Sequence, residues 1–270
     1  MKIHQLKIDF NVTEQISRFV YIYILEADSL YLIDSGVSGC EKDITGYLTG
    51  IQRDPSEIRG IFLTHAHPDH IGSAAWFQEK TGCVVYASEG ERRWIEDIDL
   101  QFAERPIPNF YNLAGKSSRV DVIVKDGDEI SLEEGLSVRV IRTAGHSCDE
   151  VSYLIDDNLF IGDSVPVKGD IPIFINEQEL KNTLDILKML EGVNTYYPAW
   201  DQTYSAKMMR HKINDAAELV DLLKKTVTDL DNDMDLPVLV DQVCGRLAMP
   251  MLKANPLFST TVQCLRQEEK

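Results

Sequence analysis

Three of the six histidines in this chain stand within six consecutive positions, as His65, His67 and His70, with Asp69 beside the last. They follow the short apolar stretch 60–64, which predicts a buried strand. Side chains at i and i+2 that leave a strand end on a Pro-containing loop can converge on one point, while Asp69 and His70 face a neighbouring point. Neutral imidazole and carboxylate are ligands that zinc selects. The spacing predicts two adjacent metal positions, against the alternative of a polar loop in which imidazoles cluster by chance.

Three other segments carry residues of the same types. TAGHS contains His146, FIGDS contains Asp163, and the earlier LIDSG contains Asp34. Together with THAHPDHIG, these motifs resemble the HxHxDH signature and the later motifs of the metallo-β-lactamase superfamily, in the same order and over about residues 1 to 204. The resemblance implies an α/β fold, a four-layer αββα sandwich with the metal site at one edge of its two sheets.

The resemblance also implies a role for each residue. The ligands implied for the first metal are His65, His67 and His146, and those for the second are Asp69, His70 and Asp163. In this pattern the Asp163 carboxylate bridges the two ions. Asp34 supports a ligand from behind or, equally, is an ordinary turn aspartate at a strand end.

The segment PAWD departs from the family's pattern. Many hydrolytic members carry a final histidine in a PGHG-like turn, and here Trp200 stands at that position. An indole has no lone pair for a metal, so the second position lacks its usual last ligand. We expect Asp201 to supply an oxygen ligand instead. Weak binding completed by water and a single-metal protein are the alternatives. His211 could replace the missing ligand, although it lies away from the apolar stripe of a predicted helix, which favours exposure.

The ligand set implies hydrolytic chemistry. Zinc lowers the pKa of a bound water to about 7, and the resulting hydroxide would attack an ester, thioester or lactone carbonyl. The hydroxyacylglutathione hydrolases and the lactonases are the similar families of this kind. Asp69 is the candidate catalytic residue, because its carboxylate can orient the nucleophile or accept its proton. We expect two zinc ions, the second weakly held, with iron or manganese as the alternative.

Other functions could use the same residues. One is a phosphodiesterase that acts on a small substrate. Another is a non-haem iron redox enzyme similar to the persulfide dioxygenases. A single iron ion would be consistent with a second metal position that lacks a ligand. A non-catalytic metal-binding or ligand-binding module is less favoured, because all first-position residue types are retained.

The candidate ligands are far apart in the chain and need secondary structure to bring them together. Runs rich in Ile, Val, Tyr and Leu predict strands in the first third, and the order strand, helix, strand over residues 60–87 indicates a βαβ unit. Helices are predicted at 73–80, 91–100 and 179–191. The segment 104–118 contains two prolines and no clear period. We therefore expect an irregular insertion there, forming one wall of a substrate cleft.

The chain becomes helical in character beyond Trp200. Further helices are predicted at 239–249 and after Pro256. An apolar stripe at helical spacing precedes them, formed by Met209, Ile213, Ala216, Val220 and Leu223. We expect a metallo-β-lactamase-like domain at 1–204 and a helical extension at 205–270 that packs on it, caps the cleft or forms a homodimer interface.

Composition limits the partners. Forty-four acidic residues against 27 basic ones give a net charge of −17, which repels phosphate backbones and anionic lipid surfaces. We therefore expect a small-molecule substrate, with neither nucleic acid nor a membrane as partner. The N-terminal residues lack the apolar segment of a secretory signal, and no apolar run approaches the ~20 residues that span a bilayer. The expected location is the cytoplasm, where the five scattered cysteines would remain reduced.

Overall fold

Two six-stranded β-sheets lie face to face and are covered by helices on both outer sides in the computed structural model, which describes residues 1–230, 233–253 and 255–267. Three apolar clusters define the layers. One lies between the two sheets, one between the first sheet and its helices, and one between the second sheet and its helices. The α/β fold that the resemblance implied, a four-layer αββα sandwich, is confirmed.

The first sheet contains the strands on either side of the histidine cluster. In both spatial and chain order they are β1 (Lys2–Asn11), β2 (Ser17–Glu26), β3 (Leu30–Ile33), β4 (Ile58–Phe62), β5 (Val84–Ser88) and β6 (Val122–Val124). Strands β1 to β3 pair antiparallel and β3 to β6 pair parallel. Parallel neighbours require crossover connections. The helices of these connections are α1 (Glu41–Gly50), α2 (Pro68–Ile71), α3 (Ala74–Thr81), α4 (Glu89–Glu96), α5 (Ile98–Glu104) and α6 (Phe110–Ala114).

Strand β4 shows why this part of the sequence is continuously apolar. Its Phe62 packs in the cluster between the sheets, whereas the adjacent Ile61 packs under the helices on the opposite face. A parallel strand buried on both faces needs apolar side chains at successive positions rather than alternating ones. The βαβ unit predicted over residues 60–87 is present as β4, α2, α3 and β5.

The prediction of one helix at 91–100 is wrong, because the chain forms α4 and α5 there. Asp97 stands between the two helices with non-helical φ and ψ of −142° and 89°. Its side chain accepts a hydrogen bond from the Leu100 backbone N at 2.9 Å and so caps α5. Aspartate is favoured at such an N-cap, so the chain begins a new helix instead of continuing the first.

The second sheet carries the two later ligand motifs. Its strands are β7 (Glu129–Glu133), β8 (Leu136–Arg142), β9 (Val151–Ile155), β10 (Asn158–Gly162), β11 (Thr195–Pro198) and β12 (Tyr204–Ser205). All neighbours pair antiparallel except β10 and β11, which are parallel. Helix α7 (Glu177–Met189) connects these two strands and begins slightly earlier than predicted, because the Asn176 side chain caps it by accepting from Glu179 N at 2.9 Å.

The C-terminal segment forms three helices, α8 (Ala206–Leu230), α9 (Leu236–Arg246) and α10 (Pro256–Gln267). The predicted apolar stripe of α8 is buried along its length. The three helices share one apolar cluster with Phe174 and Leu180, so they pack against the sandwich. The boundary at residue 204 stays a prediction. None of the described helices combines the length and apolar character needed to cross a bilayer.

Candidate metal centre and its cavity

The first predicted ligand group converges at the edge of the two sheets. His65 and His67 lie on the loop after β4, and His146 lies on the loop after β8 of the opposite sheet. The Nδ1 atom of His67 is 2.9 Å from Nε2 of His65 and 2.9 Å from Nε2 of His146. One oxygen of Asp163 joins them, and the four ligand atoms lie within 4.8 Å of one another.

Local sequence explains why these loops turn toward each other. Pro68 begins α2 directly after His67, and proline is favoured at the first position of a helix because it has no N–H to lose. Gly145 has φ of +130°, and a Cβ there would lie 2.5 Å from the backbone N of Leu180. Gly162 has φ of +51°, and a Cβ there would lie 2.6 Å from Oε1 of Glu150. Glycine is therefore required immediately before each of the later ligand candidates.

Hydrogen bonds on the far side of each ring direct lone pairs into the cluster. The Nδ1–H of His146 donates to the Ile173 carbonyl at 2.9 Å. Thr64 Oγ1 donates to Asp34, so it can accept from Nδ1 of His65 at 3.0 Å. Both Nε2 atoms are then unprotonated and both point at Nδ1 of His67. Burial lowers the pKa of all three imidazoles, which keeps them neutral. A cation satisfies the three lone pairs together, so these residues fit a divalent metal.

A second group of unsatisfied atoms lies beside the first. Oδ2 of Asp69, Nε2 of His70 and Oδ1 of Asp163 are buried and have no hydrogen-bond partner among the described residues. Nε2 of His70 lies 3.8 Å from Oδ2 of Asp69 and 3.4 Å from Oδ2 of Asp163. That Asp163 oxygen is also 3.4 Å from Nε2 of His146. Because unpaired buried charges are costly, the donor set fits a second cation, with Asp163 between the two groups.

Asp34 lies where a supporting residue is expected. Its carboxylate accepts from Nδ1 of His70 at 2.8 Å and from the backbone N of Thr64 at 2.8 Å. It therefore fixes His70 with its Nε2 lone pair toward Asp69 and Asp163. Its backbone is also left-handed, with φ of +59°, as in a turn aspartate. Asp34 is therefore both a turn aspartate and a residue that supports a metal-ligand candidate.

The structure does not place Asp201 in either group, contrary to the expected oxygen ligand. One of its oxygens accepts from the backbone N of Gln202 at 2.8 Å. The other accepts from the Tyr204 hydroxyl and lies 3.5 Å from Nζ of Lys212. The Asp201 carboxylate therefore faces the ammonium group of Lys212 instead of the second metal position. His211 is exposed on α8.

Trp200 covers the side of the site where the family's last histidine is missing. It lines a cavity together with His146 and Asp163. The guanidinium of Arg18 lies 4.1 Å from the centre of its ring and forms two hydrogen bonds of 2.8 Å with Asp170. The indole is therefore held in place by a cation–π contact.

Two buried glutamates connect the ligand loops by hydrogen bonds, and no sequence motif indicated them. Glu91 accepts from the backbone N of Ala66 at 3.0 Å and from the Ser147 hydroxyl at 2.6 Å, so it connects the loops of both sheets. Glu150 accepts from the backbone N of Asp163 at 2.8 Å, and burial, followed by Asp163, raises its pKa well above the ordinary range. No spacing in the sequence distinguishes them from surface glutamates.

A cavity of about 270 Å³ opens onto the metal ligands. Its walls come from the β1–β2 hairpin, the insertion at 104–118 and the beginning of α10. They are mainly apolar, with Phe10, Val12, Ile16, Ile107, Pro108 and Leu257 among them. The segment 104–118 forms one wall of the cavity, as predicted, but it is not irregular throughout, because Phe110–Ala114 form α6. Helix α10 contributes to another wall.

The family assignment follows from comparison with known proteins. A family model described as the metallo-beta-lactamase superfamily matches residues 17–198, more than half of the chain. The chain belongs to the metallo-beta-lactamase superfamily. The resemblance stated from the motifs is therefore confirmed.

Relatives and solved structures agree with this assignment. A hydroxyacylglutathione hydrolase of Rhodopseudomonas palustris is 30% identical over 142 residues, which cover 50% of this chain and 47% of that protein. One of Thiobacillus denitrificans is 29% identical over 150 residues, which cover 55% and 49%. The chain spans about half the length of these curated relatives. A metallo-beta-lactamase family protein from Thermus thermophilus is 19% identical, with a TM-score of 0.77 over 99% of this chain and 94% of that chain. This last similarity concerns the fold and includes the C-terminal helices.

Proposed function

We propose that this protein is a zinc-dependent hydrolase of thioesters. The observation that carries the proposal is the convergence of three imidazole nitrogens and a carboxylate on one point at the floor of an apolar cavity. The relatives named hydroxyacylglutathione hydrolase favour a thioester over an ester or a lactone. Neutral imidazole and carboxylate favour zinc over harder cations.

His65, His67, His146 and Asp163 would hold the first ion, and Asp69, His70 and Asp163 the second. When bound, zinc supplies Lewis acidity and lowers the pKa of a coordinated water to about 7. The second ion is held less tightly, because Trp200 cannot replace the missing imidazole and Asp201 is engaged by Lys212.

The chain's own residues position the reaction. Asp69 lines the cavity, and its carboxylate is placed to accept a proton from the attacking water. Glu91 and Asp34 keep the ligand loops in register. The apolar walls exclude bulk water from the carbonyl group, which strengthens electrostatic stabilisation of the developing negative charge.

The test combines metal analysis with hydrolysis. Purified protein is analysed for metal content and assayed for thiol release from a hydroxyacylglutathione thioester, with and without zinc. His67→Ala should lose the first metal and the activity, because the other two imidazoles share the His67 contact point. His211→Ala is the matched control, since it removes an exposed histidine far along the chain.

Two outcomes would contradict the proposal. One is zinc-loaded protein that cleaves bis-p-nitrophenyl phosphate but no thioester, which would indicate the phosphodiesterase. The other is protein that binds iron preferentially, consumes oxygen and releases no thiol from a thioester.

A further inference from the structure

Arg105 is an unusual residue in the cavity wall. It follows directly after α5, and its side chain lines the cavity that also contains Asp69 and His67. Its Nη1 atom is buried and has no hydrogen-bond partner among the described residues. Burial lowers the pKa of its guanidinium to about 10, so the group stays charged at neutral pH. A cationic group with a buried donor that lacks a partner is costly and calls for an anion.

The neighbouring carboxylates are already used. Asp69 and Asp163 carry the unsatisfied oxygens of the metal position. Glu91 receives hydrogen bonds from the backbone N of Ala66, the Ser147 hydroxyl and the backbone N of Asp149. None of the three therefore remains as a dedicated partner for Arg105.

The cavity's other arginine differs in this respect. Arg18 forms two hydrogen bonds with Asp170 and lies on the ring of Trp200. Its charge is neutralised within the protein. Of the two arginines in the cavity wall, Arg105 is the one with a donor left for a ligand.

The remaining walls restrict the rest of the ligand. They are mainly apolar, and the volume of about 270 Å³ lies just below the usual range of about 300–1,000 Å³ for small-molecule sites. A ligand that fits this cavity is small, and the part of it that lies between the metal ligands and Arg105 is apolar. A peptide-like thiol group would have to extend outside this space.

We propose that Arg105 is a specificity-determining residue that binds a carboxylate at the far end of the substrate's acyl chain, so that the preferred substrates are monothioesters of short dicarboxylic acids. This inference rests on the thioester hydrolysis proposed above. A planar guanidinium matches a carboxylate in a bidentate arrangement, which gives both energy and orientation. The methylene groups between the two ends lie against the apolar walls.

The experiment compares matched substrates on zinc-loaded protein. Succinyl, glutaryl and adipyl thioesters of N-acetylcysteamine are compared with the butyryl, valeryl and hexanoyl thioesters of equal chain length. We expect at least one carboxylated member to exceed its neutral partner in kcat/KM by about 10- to 100-fold, the range for one charge-assisted hydrogen bond. Arg105→Met should abolish this preference while leaving the neutral substrates nearly unchanged. Arg92→Met, which removes an exposed arginine paired with Glu96, is the control.

A binding measurement separates folding from recognition. In wild-type protein, glutarate should raise the melting temperature more than valerate does, although each offers a carboxylate to the metal. The difference should vanish in Arg105→Met. Equal loss of activity on carboxylated and neutral substrates in this variant would overturn the inference and assign Arg105 to positioning Asp69. Equal preference in the wild type would overturn it as well. If no thioester of either series is cleaved while glutarate retains its Arg105-dependent advantage, the proposed reaction fails and the anion site stands.

Discussion

The hydroxyl of Thr261 connects the C-terminal helix to a metal-ligand candidate. It accepts a hydrogen bond from the backbone N of Phe174 at 3.1 Å and donates to the Pro172 carbonyl at 3.0 Å. The residue between these two, Ile173, supplies the carbonyl that holds Nδ1 of His146 at 2.9 Å. Thr261→Val keeps the shape of the side chain but removes both bonds, so it should displace the carbonyl on which the orientation of His146 depends.

The magnitude follows from the groups left without partners. A buried backbone N–H that loses its acceptor costs about 1–3 kcal/mol, which lowers the melting temperature of a chain of this size by about 2–12 °C. Loss of a hydrogen-bond partner of a metal ligand weakens binding by about 10–100-fold. Because the Ile173 carbonyl remains present and only shifts, we expect about tenfold weaker zinc binding in the Thr261→Val protein.

Two measurements distinguish the structural and the metal effects. Thermal unfolding of metal-free protein gives the loss of stability alone, and competition with a chromogenic chelator gives the zinc affinity. Thr260→Val is the matched control on the same helix, because the Thr260 hydroxyl is exposed and, among the described residues, donates only to the Pro256 carbonyl of its own helix, at 3.2 Å. If Thr261→Val destabilises the metal-free protein but binds zinc as tightly as the wild type, the proposed connection to His146 is refuted.

Three further predictions concern the rest of the site. Asp34→Asn should weaken the second metal by about 10–100-fold, because the amide NH2 group cannot accept from Nδ1 of His70. The first metal should be nearly unchanged, because the amide oxygen can still accept from Thr64, which orients His65. Equilibrium dialysis at limiting zinc measures both affinities. Trp200→His should raise the metal retained after dialysis toward two equivalents per chain. Asp201→Ala should leave the retained metal unchanged. A loss of metal in Asp201→Ala would show that the Asp201 carboxylate leaves Lys212 and coordinates the ion. Glu91→Gln should lower the free energy of unfolding by about 1–3 kcal/mol, because an amide oxygen can no longer accept at both positions; unchanged denaturant midpoints would contradict the bridging role.

The sequence could indicate candidate ligands because residues of the required types are concentrated in short motifs. Three histidines in six positions after an apolar strand leave few alternatives. The glycines before His146 and Asp163 stand where a side chain would collide with Leu180 or with Glu150. The same local character explains the predicted βαβ unit. Spacing alone indicated the cluster at His65, His67 and His70, whereas His146 and Asp163 lie far from it along the chain and were assigned through the resemblance to the family.

The errors and omissions have the opposite origin. Asp201 follows Trp200 directly and carries a suitable side chain, but Lys212 and Tyr204 determine where it points. Glu91 accepts from Ser147, which lies 56 positions further along the chain, and no motif around Glu91 indicates this contact. Such pairings depend on tertiary contacts, so single-sequence patterns do not contain them.

The proposed preference for a carboxylated substrate has to be reconciled with the acidic character of the chain. The net charge of −17 repels anions at a distance, yet this repulsion is screened beyond about 10 Å at moderate salt. Inside the cavity, Arg105 supplies a positive charge, and metal ions at the two ligand groups would add to it in a partly desolvated space where charge interactions are stronger. Raising the ionic strength should therefore speed the association of a carboxylated substrate by screening the surface while affecting the buried pairing with Arg105 less. A neutral thioester should show no such increase.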